Sequence, residues 1–380
     1  MKSNSSINPT INFHMPTRWH HGRGLASKTG EMISELGCRK ALLLTDELLL
    51  SAGIVDPVAS SLENKGIPFT ICSDVDREPT VFLFESIAEK LDLQSFDSIV
   101  AVGGGSVLDV SKGLSIIGSF GGSIRDYDGF DLVPEVPDIK VIAVPTTSGT
   151  GSEVSDGVVL IDELRKTKFL VISKKICPAA AITDPEMTLN MPPFVTACSG
   201  MDALVHAIES YISLGSNTAT DLFARKAIEL ISEALRSAYI SGHDIDARER
   251  MQIGATMAMI AAMNSYLGLC HAMAMPLCAL YDIPHGQVCG ILLPHVLKFN
   301  SISIKEREKE VFNIMGFDHG YSDFIKLLDD INLFARLNDF GYEEEHLETI
   351  IKETLASAQT PTNPRIPSRR DIADIVEKII

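Results

Sequence analysis

No stretch of the chain gathers enough Lys and Arg to follow a phosphate backbone, and its 33 basic side chains face 50 acidic ones, a formal net charge of -17. Nucleic acid is thereby a poor partner, and a small metabolite fits better. The seven cysteines, at 38, 72, 177, 198, 270, 278 and 289, show neither CxxC spacing nor a pairing pattern. Reduced thiols in a cytoplasm are expected, not a disulfide framework. Met1 to Pro9 contains no apolar h-region, so no signal peptide is expected. There is no internal repeat, and the Pro-rich segment from Thr360 to Pro367 reads as a surface linker before a last helix. From Met251 to Tyr281 no side chain carries a fixed charge, but Asn264, Ser265, Gly268, His271 and Pro276 interrupt the run. Buried helices of a soluble core explain that run better than a membrane span.

What is there divides in two. At 380 residues the chain is long enough for two domains. Lys40 to Asp46, Pro68 to Cys72, Asp97 to Val102, Ile139 to Val144 and Ala179 to Thr183 read as strands. Helical patterns fall between them around 24–36, 49–64, 80–92 and 107–118, so residues 1–190 form an α/β domain on a parallel sheet. Ile11 to Met15 is a further strand candidate without a visible partner. Beyond about 190 the strand signal ends, and helices broken near 215, 242, 265, 301, 318, 341 and 360 make residues 191–380 an all-helical domain.

In such a sheet, ligands bind at the carboxyl ends of the strands. The third strand runs into Gly103, Gly104, Gly105 and Ser106, with Asp109 in the helix that follows. Glycines there let backbone approach a phosphate, and a helix start supplies amides and a favourable dipole. The GxGxxG fingerprint is absent, and a plain tight turn is the simpler alternative. Asp46, closing the first strand, suits the two hydroxyls of an adenosine ribose and repels a 2′-phosphate, or else caps the next helix. Pro145 to Glu153 holds five hydroxyl side chains, among them Thr146, Thr147 and Thr150, and is either a nucleotide-wrapping loop or a connector.

The second half offers a different chemistry. Asp202 and His206 stand at i and i+4, one above the other on a helix face, where such a pair is either half a metal site or surface decoration. His271 and His285 are the histidines that would complete it. One carboxylate and three imidazoles suit Zn(II) or Fe(II).

Taken together, Gly103 to Ser106 with Asp109, the loop 145–153, Asp184-Pro185, Gly200 to Ala203 with His206 to Glu209, His271, Pro284 to Gly286, and Asn363 to Arg365 resemble the iron-containing (group III) alcohol dehydrogenases over nearly the whole chain. The resemblance implies an N-terminal dinucleotide-binding domain, a helical domain holding a divalent metal and the substrate, and a cleft between them. It implies Asp202, His206, His271 and His285 as metal ligands, and Asp46, Gly103 to Ser106, Asp109, Thr146, Thr147, Thr150 and Lys168 as NAD contacts. It also implies a homodimer formed through N-terminal strands, giving Ile11 to Met15 a role. The implied reaction interconverts a short primary alcohol and its aldehyde, such as lactaldehyde with propanediol, 1,3-propanediol, or a small ω-hydroxy acid or sulfonate.

One position departs from that pattern. The relatives this chain resembles most carry a histidine four residues after the third ligand, where this chain has Met275. A thioether carries no proton, so either Met275 merely packs or proton delivery uses water or a ribose hydroxyl. Two rival functions follow from the same residues. A metallohydrolase would use the ion to activate water without needing Asp46 or the glycine loop; an NAD-binding protein with altered or lost chemistry is the other.

Overall fold

The structure, a computed structural model, describes residues 11–75, 79–165 and 167–380. Two compact units divide the chain: residues 15–191 with 243–253, and residues 11–14 with 192–242 and 254–380.

The first unit is built on a six-stranded sheet of β1 (Arg18–His21), β2 (Ala41–Leu44), β3 (Phe69–Cys72), β4 (Ser98–Gly103), β6 (Lys140–Pro145) and β9 (Ala180–Thr183), in the order β1-β9-β6-β4-β2-β3. Every pairing in it is parallel. The strands read as unbroken apolar runs because both faces are covered. Leu42, Leu44, Ile99 and Ala101 pack with Phe84 of α4 (Val81–Lys90) and Leu114 of α5 (Gly105–Phe120). Their neighbours Ala41, Leu43, Val100 and Val102 pack on the other face, with Ile33 of α1 (Thr29–Glu35) and Leu62 of α3 (Asp56–Asn64). The helical pattern at 49–64 is broken by Gly53, whose φ of +72° ends α2 (Glu47–Ser51) before α3 begins. Residues 243–253 belong to this unit: Arg248, 1% exposed, donates to the Met191 carbonyl, and Gln252 donates to the carbonyls of Pro145 and Asp184.

Two features differ from the sequence expectation. Ile11 to Met15 lies in no strand; the edge position beside β9 is taken by β1, whose Arg-Trp-His-His sequence has no apolar run to reveal it. A second, three-stranded sheet, β5 (Gly129–Phe130), β7 (Gly157–Asp162) and β8 (Thr167–Ile172), in the order β5-β8-β7, was not expected. Its β7-β8 hairpin is antiparallel, and the buried residues of β7 alternate, as they do in a strand covered on one face.

The second unit is helical: α6 (Pro193–Ile212), α7 (Thr218–Ile240), the part of α8 (Ile245–Ser265) from Gly254 on, α9 (Leu269–Tyr281), α10 (His285–Met315), α11 (Tyr321–Asp330), α12 (Leu347–Ala356) and α13 (Arg369–Ile379). The break expected near 301 is a kink at Ile304, with φ -124° and ψ 20° inside α10. The uncharged run from 251 to 281 bends by 105° between α8 and α9, and among the described residues no single helix is long and apolar enough to cross a membrane.

Asp109 is spoken for within the first unit. Its carboxylate accepts from Ser152 Oγ and, at 2.8 Å, from the amide of Val159, and pairs at 3.0 Å with Lys112, whose side chain is fully buried. Lys112 Nζ also donates to the hydroxyls of Ser152 and Ser155, at 2.8 and 2.9 Å. α5 thus pins the 145–153 loop through a buried ion pair. Removing one member of such a pair strands the other, so Lys112→Ala should destabilise the protein by about 3 kcal/mol or more. A urea denaturation midpoint unchanged from wild type would contradict that.

Candidate metal centre and nucleotide loops

In the sheet unit, the neighbouring strands β6, β4 and β2 all release their loops at one edge. There the amide of Thr146 donates to the carbonyl of Gly103, and Gly104 caps α5, whose first turn opens at this edge. A Cβ on Gly105 would stand 2.9 Å from the side chain of Thr150, which makes glycine a packing requirement at this contact. Beside them Ser148 Oγ and Thr45 Oγ1 are buried without a hydrogen-bond partner, as expected of groups awaiting a polar ligand. Asp46 is half-buried and caps α2, Oδ1 accepting from the Leu49 amide at 2.8 Å. The helix-cap role is therefore real, and it holds the carboxylate still at the strand end. Thr146 and Thr147 line this edge, whereas Asp109 faces Lys112, Ser152 and Val159. Lys168 lies in β8 opposite Ile161, and its side chain falls outside the described residues.

In the helical unit, α6 carries Asp202, His206 and Glu209 at i, i+4 and i+7, one face of the helix. α9 contributes His271 in its first turn, and α10 opens on His285. The start of α10 lies so close to α6 that a Cβ on Gly286 would stand 1.9 Å from the Cys198 carbonyl oxygen. Only glycine allows that approach.

The donor atoms converge. His271 Nε2 is 3.6 Å and His285 Nε2 3.7 Å from Asp202 Oδ1, and His206 Nδ1 is 3.8 Å from Asp202 Oδ2. The His206 ring stacks on that of His271 with centroids 4.5 Å apart. Asp202 Oδ1, His206 Nδ1 and His271 Nε2 are buried and have no hydrogen-bond partner. Such orphans, two of them 3.6 Å apart and the third beside the other oxygen of the same carboxylate, are costly unless a cation satisfies them, so the residues fit a divalent ion. Burial works to raise the Asp202 carboxyl, but the surrounding histidines hold it well below the usual carboxylate range. Burial lowers His206 to about 4, which keeps this imidazole neutral and able to donate a lone pair. His285 is 30% exposed, leaving one side of the cluster accessible.

Two residues matter that the sequence reading gave no role. Glu209, 1% exposed, accepts from His271 Nδ1 at 2.7 Å, which directs Nε2 toward Asp202. It also accepts from the amides of Gly268, Cys270 and His271, while Asn363 Oδ1 takes the Leu269 amide. Its i+3 spacing from His206 was the available signal. Cys289 is the second: Asp202, His271, His285 and Cys289 offer ligand atoms all within 4.8 Å of one another. Cys270, beside His271, is fully buried; burial pushes its thiol up to about 11, and Sγ donates to the Cys289 carbonyl. It is a core thiol and no nucleophile.

A parallel sheet with phosphate-type loops and a helical unit with a carboxylate and imidazole centre define a metal-dependent, dinucleotide-linked oxidoreductase. The chain belongs to the iron-containing alcohol dehydrogenase family: residues 16–185 match the iron-containing alcohol dehydrogenase model, and 196–380 the C-terminal model of the Fe-containing alcohol dehydrogenase family. It is 34% identical to the NAD-dependent methanol dehydrogenase of Bacillus methanolicus, over 97% of this chain and 100% of that one. It is 35% identical to the 1,3-propanediol dehydrogenase of Citrobacter freundii, over 97% and 96%. The crystal structure of a 1,3-propanediol oxidoreductase superposes with a TM-score of 0.93 at 34% identity, covering 98% of this chain and 100% of that one. The protein is an NAD-linked alcohol and aldehyde oxidoreductase that uses a divalent metal, and a metallohydrolase finds no support.

Glu209→Gln keeps the shape of the side chain but removes the charge that receives the imidazole proton. Metal affinity, read by chelator competition, should fall 10- to 100-fold or so. Affinity equal to wild type would show that His271 needs no such support.

Proposed function

We propose that this enzyme interconverts a short primary alcohol and its aldehyde at an ion held by Asp202, His206, His271 and His285, with NAD(H) bound along Asp46, Gly103 to Ser106, Thr146, Thr147, Thr150 and Lys168. The observation that carries the reading is the gathering of ring nitrogens of His206, His271 and His285 at 3.8, 3.6 and 3.7 Å from the Asp202 carboxylate. When bound, the ion supplies Lewis-acid polarisation of the substrate oxygen and the nicotinamide exchanges the hydride.

The chain's own residues supply position and field. Glu209 fixes the His271 tautomer, and burial keeps His206 neutral and able to donate a lone pair. Met275, half-buried four residues beyond His271 in α9, can neither take up nor release a proton. Proton exchange with the substrate therefore falls to water or a ribose hydroxyl. Retention of all four ligands speaks against a protein that has lost its chemistry. The names of the relatives, a methanol and a 1,3-propanediol dehydrogenase, support a short primary alcohol as substrate. Seven free thiols support a cytoplasmic enzyme, and the residues from Ile11 to Met15, in no strand of their own chain, suit pairing into a homodimer.

Metal-stripped protein reloaded separately with Fe(II), Zn(II) and Mn(II) should oxidise NADH with short aldehydes under at least one ion, and Asp202→Ala should lose that turnover. Turnover that survives Asp202→Ala would sink the assignment. Asp46→Gly should raise kcat/KM for NADPH relative to NADH, since the carboxylate that repels a 2′-phosphate is gone; an unchanged ratio removes Asp46 from cofactor choice.

A further inference from the structure

Cys289 stands at i+4 from His285 on α10, hence on the same helix face. It is fully buried, with Sγ 3.6 Å from His285 Nε2. Asp202, His271, His285 and Cys289 offer ligand atoms that all lie within 4.8 Å of one another, a set that does not include His206. Its measured edges are 3.6 Å from His271 to Asp202, 3.7 Å from His285 to Asp202 and 3.6 Å from Cys289 to His285. A tetrahedron built on metal bonds of about 2.0–2.1 Å to nitrogen and oxygen and about 2.3 Å to sulfur has edges of roughly 3.3–3.6 Å. Those three edges are close to the tetrahedral ones, and the other three lie within 4.8 Å. Asp202 Oδ1 and His271 Nε2, both buried and unpartnered, point into the same space. Outside it, His285 Nδ1 lies 3.5 Å from Cys278 Sγ, so Nε2 is the nitrogen turned toward Cys289 and Asp202.

We propose that Cys289 is a further metal ligand, binding as a thiolate, and that it biases the centre toward Zn(II) over Fe(II). The inference rests on the metal centre of the preceding section. On binding, the sulfur–metal bond replaces the S–H bond and the proton passes to solvent. A thiolate is a soft donor that favours zinc among the ions a carboxylate and imidazole site accepts. His206 stacks on His271 and lies on the Oδ2 side of Asp202, 3.8 Å away, so it approaches the ion from the other carboxylate oxygen.

The test uses the full-length protein loaded with zinc or with cobalt. X-ray absorption at the zinc edge should show one sulfur scatterer at about 2.3 Å, and the cobalt protein an intense near-ultraviolet thiolate charge-transfer band. Both should vanish in Cys289→Ser and persist in Cys270→Ser. In competition, the preference of Cys289→Ser for Zn(II) over Fe(II) should fall by about tenfold or more, at least the loss seen when an outer-shell partner is removed. A wild-type zinc shell of nitrogen and oxygen alone overturns the inference even if Cys289→Ser does not fold. If the ion binds with that shell and supports turnover, the thiolate ligand alone is refuted. If no ion binds stoichiometrically, the metal centre itself falls with it.

Discussion

The buried carboxylate of Glu209 is the constraint on which the helical unit depends. The start of α9 lies in the interior, where its amides cannot reach water, and an unsatisfied buried donor costs about 1–3 kcal/mol. Glu209 takes the amides of Gly268, Cys270 and His271, and Asn363 takes that of Leu269. A negative side chain is also the favourable charge at a helix N-terminus. The same carboxylate accepts a hydrogen bond from His271 Nδ1, so the device that closes the helix end also orients that imidazole. Asn363 and Asn300 exchange amide hydrogen bonds at 3.0 and 2.8 Å, which extends the arrangement to α10, the helix that begins with His285.

The sheet unit solves a related problem with an ion pair. A loop proposed to present amides and hydroxyls to a nucleotide cannot use them to hold itself in place. Lys112 and Asp109 grip the loop from behind through Ser152, Ser155 and Val159, leaving Ser148 Oγ unpartnered. Asp109 therefore supports the 145–153 loop, its two oxygens engaged by Ser152, Lys112 and the Val159 amide.

Much of this was legible in the sequence, for physical reasons. Strands buried on both faces are continuous apolar runs, and β2, β4, β6 and β9 show up as such. The i, i+4 spacing of Asp202 and His206 survives translation into a helix without loss. β1 did not show, because a polar strand at a sheet edge is specified by its neighbour β9. The β7-β8 hairpin had a signal in Val158 to Ile161 and Phe169 to Ile172 around a polar turn. Glu209 is the instructive miss: its i+3 spacing from His206 put it on the same helix face, but its role at the start of α9, some sixty residues away in sequence, follows only from packing.

The most direct test of the account is anomalous diffraction from crystals of the zinc- or iron-loaded enzyme, recorded on both sides of the metal absorption edge. The account predicts one strong peak in the helical unit, about 2.0–2.2 Å from Asp202 Oδ1, His271 Nε2 and His285 Nε2, with the Glu209 to His271 hydrogen bond intact. A peak elsewhere, or His271 turned away from Asp202 with Glu209 still capping α9, would contradict it.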